Sequence, residues 1–194
     1  NKEQITLIPF KSKDSQKRIK IALGSWKTER SSWKASVLKQ KDPDLTRYKR
    51  LTELVNNLLS HTKDVRYLVM PELSIPVRWF MRIVKKFLDS RVSLISGIEY
   101  QHCRTKSVRN QVWAALWYDG LGYPSTAIIR QDKQRPAWHE GAALKNLAGL
   151  KFKPEINWKT PPLIRHGNFQ FAMLVCSELT NILYRSALRG QIDA

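Results

Sequence analysis

The sequence predicts an α/β layer fold, and three observations carry that prediction. Between residues 18 and 100, short runs of β-formers alternate with stretches of helical apolar spacing in the order β, α, β, α, β. Beyond residue 110, two pairs of apolar runs are each split by a glycine-containing turn, the pattern of two hairpins. The 194 residues are 42% hydrophobic and 10% aromatic, enough to bury a substantial core.

The elements follow in order. Residues 1–17 join an apolar stretch, Ile5 to Phe10, to the polar run Lys11 to Lys17, and read as a linker or an edge segment. Arg18 to Gly24, RIKIALG, is the first clear strand. Ser25 to Asp44 is polar and punctuated by Trp26 and Trp33, and reads as a loop with one helical turn. Leu45, Tyr48, Leu51, Val55, Leu58 and Leu59 then recur at helical spacing behind Pro43-Asp44, a helix start, and this helix closes before His61. Val65 to Met70, VRYLVM, is a short strand that stops at Pro71-Glu72. Val77, Phe80, Ile83, Val84, Phe87 and Leu88 mark a second amphipathic helix, and Val92 to Tyr100 a second buried strand.

The first hairpin pairs Asn110 to Tyr118 with Ser125 to Arg130 across Asp119-Gly120-Leu121-Gly122; the second pairs Leu163 to His166 with Phe169 to Val175 across Gly167-Asn168. Gln131 to Pro162 reads as a long irregular stretch, and loops of that length usually carry function. A helix from Leu179 to Leu188 follows, with Gly190 as its C-terminal cap. Because the chain stops where the next strand of an alternating fold would begin, the expectation is one domain, residues 18–194, cut from a longer polypeptide.

Composition narrows the function classes. No apolar run approaches the roughly 20 residues of a membrane-spanning helix, and residues 1–5 lack the apolar core of a secretory signal. Two cysteines, Cys103 and Cys176, make no disulfide framework and point to a reducing compartment, the cytoplasm. The net charge of +18 favours polyanions, but half of the excess lies in the first 50 residues, and no zinc-finger, helix-turn-helix or RNA-binding signature accompanies it. His61, His102, His139 and His166 show no zinc-type spacing, and no phosphate-binding glycine loop occurs.

Three polar residues stand where strands end: Glu72, Lys133 and Cys176. A cysteine attacks as thiolate, which a nearby cation, a helix N-terminus or an adjacent base can favour. Cys176 has a candidate for each in Lys133, the helix beyond it and Glu72, while Glu140 can hold the lysine or share the proton work. Singly, each has a plainer explanation: a small buried cysteine, a first-turn glutamate, a solvated lysine. Asp132 beside Lys133 reads as a surface pair, and Trp138 as a pocket wall or a packing residue. The joint arrangement favours chemistry, because a parallel-type sheet gathers such strand ends along one edge.

Here the sequence resembles the carbon-nitrogen hydrolase, or nitrilase, superfamily, over roughly residues 18–194. The segments that carry the resemblance are YLVMPELSIP at 67–76, AIIRQDKQRPAWHEG at 127–141, GNFQFAMLVCSELT at 167–180 and, between the first two, LISGIEY at 94–100. The resemblance implies a nitrilase-type αββα sandwich, incomplete at its C-terminus. It makes Glu72 the general base, Lys133 the oxyanion stabiliser and Cys176 the nucleophile, with Glu140 as a supporting glutamate. Glu178 resembles the Cys-x-Glu variant of amide-forming and acyl-transferring branches. Gln131-Asp132 replace the family's aromatic-basic pair, and Lys151 to Lys159 form a basic, Trp-containing insertion.

The implied activity is cysteine-dependent hydrolysis or acyl transfer at a non-peptide C–N bond of a small amide or nitrile, with no cofactor or metal and a homo-oligomeric assembly. The basic character and the segments at 178–181 and 184–193 also resemble the nitrilase-like domain fused to reverse transcriptases in bacterial antiviral defence, which implies nucleic acid as a partner of the whole polypeptide. The rival readings are a catalytically silent nitrilase-like scaffold or oligomerisation module, and a basic binding domain in which Glu72, Lys133 and Cys176 coincide by chance.

Overall fold

The computed structural model describes residues 5–8, 18–61 and 64–194. Its strands are β1 (Ile5–Ile8), β2 (Lys20–Leu23), β3 (Val65–Ile75), β4 (Ser93–Cys103), β5 (Ser107–Tyr118), β6 (Ser125–Asp132), β7 (Lys151–Phe152), β8 (Leu163–His166) and β9 (Phe169–Ala172). Its helices are α1 (Arg30–Leu38), α2 (Arg47–His61), α3 (Val77–Phe87), α4 (Glu140–Ala148) and α5 (Ile182–Leu188), with a 3-10 turn at Cys176–Thr180. The chain is mixed α/β.

Two sheets form. The larger has the order β2-β3-β4-β5-β6, with β7 added beside β5; β2, β3 and β4 run parallel, and β4, β5 and β6 alternate in direction. The smaller has the order β1-β8-β9. Of the N-terminal segment 1–17, residues 1–4 and 9–17 lie outside the described residues, while Ile5–Ile8 pair in parallel with Leu163–His166 at the sheet edge.

The two-residue period of β5 explains the layering. Val112, Ala114 and Leu116 face the smaller sheet and pack with Tyr67, Ile164, Phe171, Met173 and Val175, whereas Trp113 and Ala115 face the helices. On that second face α2 buries Leu51, Val55 and Leu58, and α3 buries Phe80, Ile83, Val84 and Phe87, against Leu68 and Met70 of β3 and Leu94 of β4. β3 is thus covered on both sides, which is why YLVM at 67–70 reads as an apolar run rather than an alternation. A third cluster, around Val37, Tyr100, Val108 and Leu144, seats α1 and α4 at the far end of β4 and β5.

Four expectations are corrected. Ser25 to Asp44 is not a loop, because Arg30–Leu38 is helical; its buried face is made of Ser32, Ala35 and Val37, too small and polar to give a strong apolar period. The strand at Val65 does not stop at Pro71-Glu72 but continues to Ile75 through a break in register against β4, with Leu73 at φ 54°. The stretch 131–162 is not irregular throughout, since it holds α4 and β7. The helix expected from Leu179 to Leu188 is split, a 3-10 turn ending at Thr180 and α5 restarting behind Asn181, whose side chain accepts from the Leu183 N–H.

Candidate active site

The register break in β3 places the first candidate. Between Met70 and Ile75 the ladder to β4 is interrupted, and the freed segment carries Glu72. Gly97 on β4 lies directly beneath it: a Cβ there would stand 2.4 Å from Glu72 Cα and 2.6 Å from Leu73 N, so the strand can pass only as glycine. Lys133 is the first residue beyond β6, and its N–H donates to the Asn110 carbonyl at 2.8 Å. That bond turns the fully buried lysine side chain inward.

Lys133 Nζ donates to Glu72 Oε1 and to Glu140 Oε2, both at 2.7 Å. Asn110 Nδ2 bridges the same carboxylates, at 2.6 Å to Glu72 Oε1 and 3.1 Å to Glu140 Oε1. Glu140 also accepts from Tyr100 OH at 2.6 Å and from the Ala137 N–H at 2.7 Å. Burial opposes charge on Lys133, but its bonds to Glu140 and Glu72 outweigh that and raise its pKa above the ordinary lysine value. Burial likewise disfavours the Glu140 carboxylate, yet Lys133, Tyr100 and the Ala137 N–H hold its pKa below the ordinary range.

Cys176 arrives from the smaller sheet. Beyond β9 the chain stays extended to Val175 and then turns sharply, with Cys176 at φ 51°. A cysteine in the left-handed region costs about 1–2 kcal/mol and is a sharp strand-to-helix elbow. Glu178 holds it: its Oε2 accepts from the Val175 N–H at 2.9 Å, its own N–H donates to the Val175 carbonyl at 3.1 Å, and its Oε1 accepts from the Gln134 N–H at 2.7 Å. One buried carboxylate therefore ties the elbow to the loop that follows Lys133.

The thiol is exposed at the rim of the site. Burial of its sulfur side and the negative charge of Glu72 raise its pKa, against the opposing pull of Lys133. The surroundings therefore favour the protonated thiol, which leaves its deprotonation to a base. The helix N-terminus invoked for it is a five-residue 3-10 turn.

Glu72, Lys133, Glu140 and Cys176 therefore converge, though not along one sheet edge as expected; Glu72 and Lys133 come from the larger sheet and Cys176 from the smaller. Glu178 braces main chain. Trp138 is 87% exposed and touches the His139 ring edge-on, outside the core. Asp132 is buried and makes no surface pair with Lys133: it accepts from Gln111 Nε2 at 2.9 Å and from the Glu155 and Ile156 N–H groups at 3.0 and 3.2 Å. The 151–159 insertion is pinned through those bonds and through Trp158, which packs on Tyr184 and donates to the Asp132 carbonyl. A cavity of about 290 Å³ opens next to the elbow, between Arg135, Pro136, Ser177, Thr180 and Tyr184.

Sequence reasoning missed Asn110 and Tyr100. Both stand on strands that were correctly expected, and the only signal for them is a polar residue at an inward position of a buried strand. Among the described residues no helix is long and apolar enough to cross a membrane. No protein-family model matches the chain, and no curated protein matches it.

Proposed function

We propose that the chain is a nitrilase-type αββα domain whose Cys176, Glu72 and Lys133 cleave or transfer at a non-peptide C–N bond. The observation that carries this reading is one buried ammonium, 2.7 Å from each of two carboxylates, set beside a cysteine on a strained elbow. Cys176 Sγ attacks the amide carbon as Glu72 takes the thiol proton. Lys133 has a third N–H left after Glu72 and Glu140, and it serves the developing oxyanion. Collapse breaks the C–N bond, with Glu72 returning its proton to the departing amine. Water, deprotonated by Glu72, then hydrolyses the thioester to the acid and frees the thiol; an amine in place of water gives transfer. A nitrile enters by addition to a thioimidate, and water then expels ammonia to reach the same thioester.

The raised thiol pKa fits a base-dependent nucleophile. It also separates two readouts. Glu72→Gln removes the charge that opposes the thiolate, so alkylation of Cys176 by iodoacetamide at pH 7 is expected to rise, while ammonia release from a panel of simple amides and nitriles falls by about 10³-fold with the loss of the base. Cys103 serves as internal control. Cys176→Ala abolishes release. Release that survives Cys176→Ala overturns Cys176 as the nucleophile, and a panel with no substrate together with a thiol indifferent to Glu72→Gln overturns the reading in favour of a silent scaffold.

A further inference from the structure

A second buried cation lies against the two residues that follow Glu72, and the reaction as drawn does not use it. Arg47, the first residue of α2, is 1% exposed. Its Nη1 donates to Asp42 Oδ2 and, at 2.6 Å, to Glu99 Oε1; its Nη2 donates to the Ser74 carbonyl and reaches the Leu73 carbonyl at 3.4 Å. The guanidinium also lies over the Trp79 ring, 5.6 Å from its centroid.

Leu73 and Ser74 are the residues immediately after Glu72, inside the register break. Their carbonyls have left the β3–β4 ladder, and a buried carbonyl without a donor is costly. The donors come from the α1–α2 side: Thr28 Oγ1 to the Leu73 carbonyl at 3.0 Å, Trp26 Nε1 to the Ser74 carbonyl at 3.1 Å, and Arg47 to both. The left-handed backbone at Leu73, which a leucine does not adopt unaided, is held by these bonds on one side and by the bare Cα of Gly97 on the other.

We infer that Arg47 is a positioning residue for the reaction: by gripping the Leu73 and Ser74 carbonyls with one fork it sets the bulge that aims Glu72 at Lys133 and Cys176. The inference rests on the reading of Glu72 as the base. Lysine cannot replace the fork, because an ammonium is a point donor that can meet the carboxylates or the carbonyls but does not span both in one plane. Asp42 and Glu99 orient the guanidinium; Trp79 limits its swing.

The test uses the folded protein and reads the pH dependence of Cys176 alkylation by iodoacetamide in Arg47→Lys, Glu72→Gln and the double variant, with circular dichroism as the fold control. A purely structural role for Arg47 moves the melting temperature and leaves the profile alone. A positioning role lets Glu72 retreat, which relieves the thiol of an opposing charge. Alkylation at pH 7 is then expected to rise about tenfold in Glu72→Gln and about threefold in Arg47→Lys, with no further rise in the double variant. A folded Arg47→Lys with the parental profile overturns the inference, as does additivity in the double variant. Where Arg47→Lys does not fold, Thr28→Val removes another donor to the Leu73 carbonyl and is read in the same way: a smaller rise supports the inference and a parental profile overturns it. A parental profile in Glu72→Gln alone overturns the reading of Glu72 itself, and this inference falls with it.

Discussion

Two buried cations flank the bulge of β3, and each is held by two carboxylates, yet they are built for different ends. Arg47 is a fork whose two terminal nitrogens hold Asp42, Glu99 and two carbonyls, while its buried Nε–H has no partner among the described residues. Lys133 is a point charge that spends two of its three donors on Glu72 and Glu140 and keeps one. The guanidinium satisfies main chain, and the ammonium lies beside the Cys176 thiol. The difference teaches how two buried cations can be told apart by what their donors hold. A cation whose terminal donors grip main-chain carbonyls organises backbone, and one that keeps a donor beside a nucleophile can meet a charge that forms only during reaction.

The largest expected effect breaks the two cages in turn. Lys133→Met leaves the half-buried Glu72 and Glu140 carboxylates without their shared cation, and is expected to lower unfolding stability by about 3–5 kcal/mol and turnover by about 10³-fold. Adding Glu140→Gln should restore much of the stability and none of the turnover. Arg47→Met is expected to lose comparable stability, but neutralising Glu99 should restore little, because the Leu73 and Ser74 carbonyls still lack the arginine and keep only Thr28 and Trp26 as donors. Urea unfolding alongside ammonia release makes the comparison. Equal rescue in both cages would erase the distinction between them.

Much of the first cage was legible in the sequence and almost none of the second. Glu72, Lys133 and Cys176 each stand beside an apolar strand run, so the period of the strands marks them out as strand-end residues. Arg47 sits at the start of a helix among Lys49 and Arg50, where a basic residue reads as solvated. Its burial depends on a loop from Trp26 to Thr28, on α1 and on the bulge, all of which meet it only in three dimensions. Glu72 was legible as a strand-end acid but not as a bulge residue, because a break in register leaves no trace in hydrophobic alternation. Its one available signal was Gly97 within the apolar run LISGIEY, since a glycine inside a buried strand often marks another backbone close by.

A smaller effect sharpens the comparison from that side. Gly97→Ala is expected to destabilise by about 1–3 kcal/mol, because the added methyl must push the Glu72 and Leu73 backbone outward. The displacement acts on the bulge directly, so turnover should fall while both cages keep their own ion pairs. A folded Gly97→Ala with parental turnover would mean that Glu72 tolerates a shifted backbone, and the two cages could then be treated as independent.

The smallest effect concerns the acid limb of stability and tests only the lysine cage. Glu140 keeps a pKa below the ordinary carboxyl range, so the unfolded chain binds a proton at higher pH than the folded one. Its contribution is complete above the carboxyl pKa of the unfolded chain and is lost as pH falls through the lower, folded value. Tyr100→Phe removes one hydrogen bond that favours the carboxylate, at 2.6 Å, and is expected to lower stability at neutral pH by about 1 kcal/mol. With the folded pKa then closer to the unfolded one, less stability remains to be lost on acidification, so the parental and Tyr100→Phe unfolding curves should converge below the carboxylate range. Curves that stay parallel through acid would assign the tyrosine to packing and leave Glu140 to Lys133 and the Ala137 N–H alone.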